Sequence, residues 1–382
     1  MTNGSRLRRI VVISDFCTIV PPEPGVTAQE QDAPPQGKSG RVLVQGGYLQ
    51  RLPLAAVRVG LADSAEVWSF TGSDSDPTGL SPMTSGLGER KFRADPHNAP
   101  YGSAQMRAHI LRHGAPDILC MWGLGVTAET LDLCADSIKI YNSIDVDALR
   151  ITPEISRHFD IFLTGSKAQS DDVRARHPDA LIALLPIGPD FAAPETFFPL
   201  QKVKDIDVIY VAAAQPYKRH DILFDALATM PRSVRALCVF GYGEQAAALR
   251  QRAADLGLNI QFIGPPGVSH DAVNLLMNRA RVGVVCGIDD GAPAILTEYM
   301  LAGLPVLANA DLRCGLQYIR PETGRTATAD GFAAALAQML SDSAKFTPRE
   351  TVLNNWAWPH SAEKLARLVA AARQRRATAV AS

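Results

Sequence analysis

Short apolar runs alternate along this chain with longer amphipathic stretches. RIVVIS at 9–14 opens the series, and AEVWSF (65–70), PDILCMWG (116–123), SIKIYNSID (137–145), FDIFLTGS (159–166) and ALIALLPIG (180–188) continue it. After 200 the same rhythm resumes at DIDVIYVAA (205–213), VRALCVFG (234–241), NIQFI (259–263), ARVGVVCGI (280–288) and Pro305-Val306-Leu307. Runs of this length bounded by turn residues predict strands buried on both faces. Helical spacing lies between them, at 48–62, 106–114, 127–135, 168–177, 269–282, 293–303 and 361–376, with Pro53 a point where the first helix kinks or restarts. Two stretches lack either pattern. Residues 21–40 are rich in Pro, Gln and Gly, and 71–100 are polar and rich in Pro, Gly and Ser, so both are predicted as loops. Strand and helix alternating at this spacing predict doubly wound parallel sheets.

Composition narrows the class without naming a function. The 382 residues are 47% hydrophobic and 20% charged, which describes a globular protein long enough for two domains. A net charge of −1 gives no bias toward nucleic acid. Cys17, Cys120, Cys134, Cys238, Cys286 and Cys314 form no CxxC pair and mostly fall in apolar runs. They read as reduced, buried residues of a cytoplasmic protein, neither disulfides nor a metal site. The apolar run after the basic start is too short for a signal-peptide core or a transmembrane helix. Peripheral contact with a membrane stays open.

The stretch from Asp289 to Asn309, DDGAPAILTEYMLAGLPVLAN, carries the most chemistry. A strand precedes it, Gly291 turns it, and Pro293 suits the first position of a helix because its missing N–H would be unpaired there anyway. The amides of Ala294 and Ile295 would open that helix, where phosphates are well received. Glu298 follows a turn later, and Gly303-Leu304-Pro305 ends the helix. By itself this is equally a solvated acidic turn before an ordinary amphipathic helix.

Two acids separated by seven residues, followed by AGLPVLA, resemble the signature of retaining glycosyltransferases of the GT-B fold, family 4, usually EGFGxxxxEAMAxGxPVxA. Asp290 replaces the usual first Glu, and Pro293 a usual Gly. Other segments fit the same family. LPIGPDFAAPETFFP (185–199) resembles its linker, with Gly188, Asp190, Phe198 and Pro199 in matching places. AAAQPYKRHDILFDAL (212–227) resembles GRxxxxKGxDxLixA, with Lys218 and Asp221 matched but Ala213 where Arg is usual. His220 or Arg219 could compensate, although a surface role for either is the plainer reading. Gly241 and Gly243 match a Gly-x-Gly-Glu turn, and Gly264 lies in the segment whose backbone reads the base. Gly46-Gly47 before the first helix match a glycine-rich loop, or a plain turn. The likeness covers the chain from about Leu185 well and the first half in outline.

The resemblance implies a GT-B fold, two Rossmann-like domains facing a central cleft: an acceptor-side domain at 1–200, a nucleotide-sugar domain at 201–357, and a helix at 358–382 crossing back. It implies a retaining, metal-independent transfer of a sugar from a UDP- or GDP-sugar to a hydroxyl acceptor, with no cofactor beyond the donor. Lys218 would meet the donor diphosphate with the Ala294–Ile295 amides and Gly46-Gly47. Glu298 would accept hydrogen bonds from the ribose hydroxyls. Asp290 would sit beside the transferred sugar. The family's frequent histidine is absent from Asn142-Ser143-Ile144-Asp145, which makes Asp145 a candidate acceptor or sugar contact. His97 and His109 read as ordinary surface or loop residues, and Asp74-Ser75-Asp76 as a loop. A sugar-nucleotide epimerase and a non-catalytic partner of an active transferase are the competing readings.

Overall fold

Alternating strand and helix builds two parallel sheets, each with its own core. The computed structural model describes residues 8–18, 44, 46–72, 79–95 and 99–381. The chain divides into one unit of 1–187 with 359–382 and a second of 188–358. The stretch 188–200, counted above with the first domain, belongs to the second unit. The expectations for Asp74–Asp76 and His97, and for the whole loop at 21–40, lie outside the described residues.

The first unit contains β1 (Arg9–Thr18), α1 (Tyr48–Arg58), β2 (Ser64–Thr71), β3 (Ser81–Thr84), β4 (Leu87–Arg93), α2 (Ala104–His113), β5 (Ile118–Trp122), α3 (Ala128–Leu133), β6 (Ile138–Asn142), α4 (Pro153–Ser156), β7 (Ile161–Thr164), α5 (Lys167–Arg176) and β8 (Leu181–Leu184). Its strands lie in the order β3-β4-β2-β1-β5-β6-β7-β8, all parallel except β3. α1 is continuous through Pro53. The segment 71–100, predicted as loop, holds β3 and β4. β4 was hidden because its buried positions are not all apolar. Leu87, Arg90 and Phe92 are buried in LGERKFR. Arg90 can be buried because its Nε lies 3.2 Å from the Glu66 carboxylate on β2, which also accepts the Trp68 indole N–H at 2.8 Å. Burial disfavours the charge on Glu66, yet these partners hold its pKa below the ordinary value.

The second unit contains β9 (Ile206–Val211), α6 (His220–Thr229), β10 (Ala236–Val239), α7 (Ala246–Asp255), β11 (Ile260–Ile263), α8 (His270–Arg279), β12 (Ala280–Val285), α9 (Ile295–Leu301), β13 (Val306–Asn309), β14 (Gly324–Ala327), α10 (Phe332–Asp342) and α11 (Pro348–Asn355). Its order is β11-β10-β9-β12-β13-β14, parallel throughout. Alternate residues serve opposite faces. Val208, Tyr210, Cys238 and Val284 pack into one core, and Ile209, Leu237, Val239 and Val306 into the other. The linker segment is stitched down: the Phe198 amide donates to Asn274 Oδ1 at 3.1 Å, and buried Asp190 accepts the Tyr318 hydroxyl. The last helix, α12 (His360–Ala381), packs against α1, β6 and β7 within the first unit. Among the described residues no helix is long and apolar enough to cross a membrane. Cys120, Cys134, Cys238, Cys286 and Cys314 are free and buried.

Two histidines expected at the surface or in loops are core residues. His109 on α2 is 9% exposed and packs against Trp68 and Phe92, with ring centroids at 5.5 and 5.6 Å. His220, at the start of α6, is 2% exposed between Tyr210 and Phe240. Burial is the main cause that lowers each imidazole to a pKa of about 4. Nearby Arg90 and His113 push His109 the same way, and Lys218 does so for His220. Both therefore stay neutral in the folded chain over a range where the unfolded chain binds protons.

Stability is then complete above pH 6.5 and falls as pH drops from 6.5 toward 4, where the folded forms protonate too. For the more enclosed His220 the loss amounts to on the order of 3 kcal/mol. Urea denaturation of the wild type should show this decline, and H220F should flatten it. An unchanged slope in H220F would refute the assignment.

Candidate functional site

The site in the second unit follows from strand order. From β9 the chain adds β10 and β11 on one side, then returns to add β12 and β13 on the other. The connections leaving the carboxyl ends of β9 and β12 therefore depart in opposite directions. In an open parallel sheet such a reversal leaves a crevice that binds ligands.

Lys218 comes from the β9 side and Asp290 from the β12 side. Lys218 closes a short 3-10 turn, Pro216–Lys218, after β9. The Tyr210 hydroxyl donates to the Lys218 carbonyl at 2.6 Å, and the ammonium lies 4.9 Å from the Tyr217 ring centroid. Lys218 Nζ donates to Asp290 Oδ2, with both side chains largely buried. Gly287 eases the approach: a Cβ there would stand a tight 3.1 Å from the Tyr217 carbonyl oxygen and in ordinary contact, 3.6 Å, with Asp290 Oδ2.

The acidic turn is braced from β13. Asn309 Nδ2 donates to the Cys286 carbonyl at 3.0 Å, and the Arg313 amide to the Ile288 carbonyl at 3.1 Å. Ala292 has φ +62°, a backbone region that a non-glycine residue enters at a cost of order 1 kcal/mol or more. α9 spans seven residues, Ile295–Leu301, with Ala294 at its cap, so it is shorter than the predicted 293–303. Glu298 lies in its first turn and is 8% exposed.

Tyr299 fastens this helix to β9. Its hydroxyl accepts the Val211 N–H at 2.7 Å and donates to the Ile209 carbonyl at 3.2 Å. Room for the ring comes from Gly283 in β12, where a Cβ would fall 2.6 Å from ring atoms. The glycines after β10 and β11 are equally constrained. Gly243 has φ +125°, and a Cβ there would lie 2.3 Å from the Ala214 carbonyl oxygen. Gly264 has φ +73°, with a Cβ only 2.1 Å from the Phe240 carbonyl oxygen. Gly241 faces open space. These loops thus pack backbone to backbone at the carboxyl edge of the sheet.

The compensation considered for Ala213 does not come from its neighbours. Arg219 is paired with Asp221, its Nη2 2.7 Å from Oδ2, and His220 is in the core. Sequence reading passed over Arg313, whose Nε lies 3.5 Å from Asp289 Oδ1. It also passed over Tyr217, Gly287 and Tyr299, which belong to no charged motif.

In the first unit the corresponding reversal lies between β1 and β5. Gly46, with φ +86°, and Gly47 precede α1, and Arg51 Nε donates to the Gly46 carbonyl at 2.6 Å. Asp145 follows β6, one strand beyond the reversal, and is half-exposed in an ion pair with Arg150 at 2.7 Å. The loop after β5 was read as plain strand end. It carries Gly123 and Gly125, both at positive φ, and the Tyr141 hydroxyl donates to the Gly123 carbonyl at 2.9 Å. An apolar strand followed by Gly-x-Gly and a helix was the available signal. Among the described residues no group of three or more His, Cys, Asp or Glu side chains is placed to hold a metal ion.

Residues 193–353 match the family described as "Glycosyl transferases group 1". No curated protein matches the chain. Sucrose-phosphate synthase from Thermosynechococcus elongatus is similar in structure, with TM-score 0.67 and 17% identity over 97% of this chain and 100% of that one. HepE from Anabaena in complex with UDP and glucose gives 0.65 and 15%, over 95% and 100%. The lipopolysaccharide outer core galactosyltransferase WaaB gives 0.63 and 15%, over 95% and 99%. At such identities the likeness shows the fold, which is GT-B. That fold and the matched family domain together support a transferase of the glycosyltransferase class.

Tyr299→Phe removes a buried hydroxyl and leaves the Val211 N–H unpaired. A cost on the order of 1–3 kcal/mol follows, readable by urea denaturation. A variant as stable as the wild type would show that the hydroxyl does not hold α9 on β9.

Proposed function

We propose that this chain transfers a sugar from a nucleotide-sugar donor, a UDP- or GDP-sugar, to a hydroxyl acceptor, with retention and without a divalent metal ion. The observation that carries the reading is the meeting of Lys218 and Asp290 at the strand-order reversal, with Glu298 mostly buried on the helix that follows. A leaving diphosphate needs its growing charge met as the bond to the sugar breaks. Lys218 would supply a cation there, assisted by the backbone of the turn entering α9. Glu298 would accept hydrogen bonds from the ribose hydroxyls, and Asp290 would serve the sugar. Gly46 and Gly47 would join the diphosphate contacts, and Asp145 would touch the acceptor or the sugar. The reading places the protein in the cytoplasm, where nucleotide sugars are made. A neighbour such as HepE is described with UDP and glucose, which agrees with a UDP-linked donor here.

The same geometry keeps a second reading alive. Ala213 leaves the motif one cation short, as a non-catalytic partner protein could tolerate. A thermal-shift screen against UDP-, GDP- and dTDP-sugars separates the two, because a ligand that binds only the folded chain raises its melting temperature. A shift with one donor is expected, and no shift with any supports the partner role. Donor incubated alone tests for an epimerase, which would convert it without acceptor.

Glu298→Ala should weaken binding of the matching nucleoside diphosphate by about 1.5–3 kcal/mol, roughly tenfold to 150-fold. An unchanged dissociation constant by calorimetry would remove Glu298 from the ribose site.

A further inference from the structure

The ion pair at the reversal has a consequence for donor binding, which rests on the donor reading above. Lys218 is the cation proposed for the diphosphate, yet in the free chain its ammonium is engaged by Asp290. The two side chains are only 15% and 11% exposed, so water screens them little. At the neighbouring position where an arginine is usual stands Ala213. An arriving diphosphate therefore meets a neutralised pair. Two anions cannot share one buried ammonium without strong repulsion.

We infer that Asp290 is an internal stand-in for the donor diphosphate. It occupies Lys218 in the free protein and yields it when the donor binds. Lys218 does not depend on Asp290 for its place. Its carbonyl is held by the Tyr210 hydroxyl, and its ammonium lies over the Tyr217 ring. The turn around Asp290 is pinned by the Asn309 and Arg313 hydrogen bonds and by the Gly291–Cys314 bridge, so the carboxylate re-aims by rotation about its own side-chain torsions while the backbone stays in place. Once displaced, the carboxylate turns from the phosphates toward the sugar. One exchange seats the leaving group and delivers Asp290 to the sugar hydroxyls. No covalent bond changes in this step. Its thermodynamic mark is that Asp290 lowers the affinity for the diphosphate, because the competent state, with Lys218 free, is a minor one.

Calorimetric titration with UDP, GDP and dTDP, and with the corresponding nucleosides, tests this. For the diphosphate that the wild type binds, Asp290→Asn should tighten binding about tenfold, as when Lys218 is free about a tenth of the time. Nucleoside binding should not change, and the gain should vanish in a Lys218→Met background. Asp290→Ser provides a second variant with the carboxylate removed, and thermal melts identify any variant that fails to fold. Equal or weaker diphosphate binding in the folded variants overturns the exchange and leaves the donor reading intact. A gain that survives without Lys218 overturns it as well. If the wild type and both variants bind none of the three diphosphates, the donor reading fails and the inference with it.

Discussion

The reversal of strand order at β9 is the constraint from which the second unit's site follows. Parallel strands leave the sheet at the same edge, and helices must return each connection to the opposite edge. When the chain stops adding strands on one side of β9 and starts on the other, the connections beside it separate. Lys218 and Asp290 are 72 positions apart and meet because they stand on the two lips of that gap. The nearby glycines serve the same meeting. Gly287 admits the Tyr217 carbonyl, Gly283 admits the Tyr299 ring, and Gly243 admits Ala214. Each lets backbone or ring approach where a side chain would hold the loops apart.

A buried ion pair at such a place is a weak device for stability. Removing two charges from water costs several kcal/mol per ion, and apolar residues of similar volume commonly hold a fold as well or better. Tyr210, Tyr299 and the two cores already fix β9, β12 and α9 without it. The pair is better understood by what can replace one member. A diphosphate carries the same charge sign as the carboxylate and more of it. On the proposed reading, the energy spent in burying Lys218 beside Asp290 keeps a cation in place for another anion.

Legibility in the sequence depended on how each element hides its polar atoms. Strands buried on both faces appear as apolar runs, as β1, β2, β5–β7, β9, β10, β12 and β13 do, and the half-buried edge strands β8 and β11 are apolar enough to appear with them. β4 does not, because Arg90 takes a core position by pairing with Glu66, a partner 24 positions earlier that periodicity cannot reveal. His109 and His220 were misjudged in the same way: an imidazole kept neutral among aromatic rings behaves as an apolar residue. Lys218, Asp290 and Glu298 stood out through motif spacing. The direct contact of Lys218 with Asp290 did not, since spacing along the chain carries no distance across a sheet.

The first unit shows the converse. Its sheet reverses between β1 and β5 just as the second reverses between β9 and β12, but no charged motif marks the spot. Gly46-Gly47 and Gly123-Leu124-Gly125 stand there instead, glycines whose positive φ values at 46, 123 and 125 serve turns. Asp145, chosen for its charge, lies one strand further along and is satisfied by Arg150. A search for charged side chains therefore marks the second unit's reversal and passes by the first unit's. Strand order, which needs only the path of the backbone, points to both.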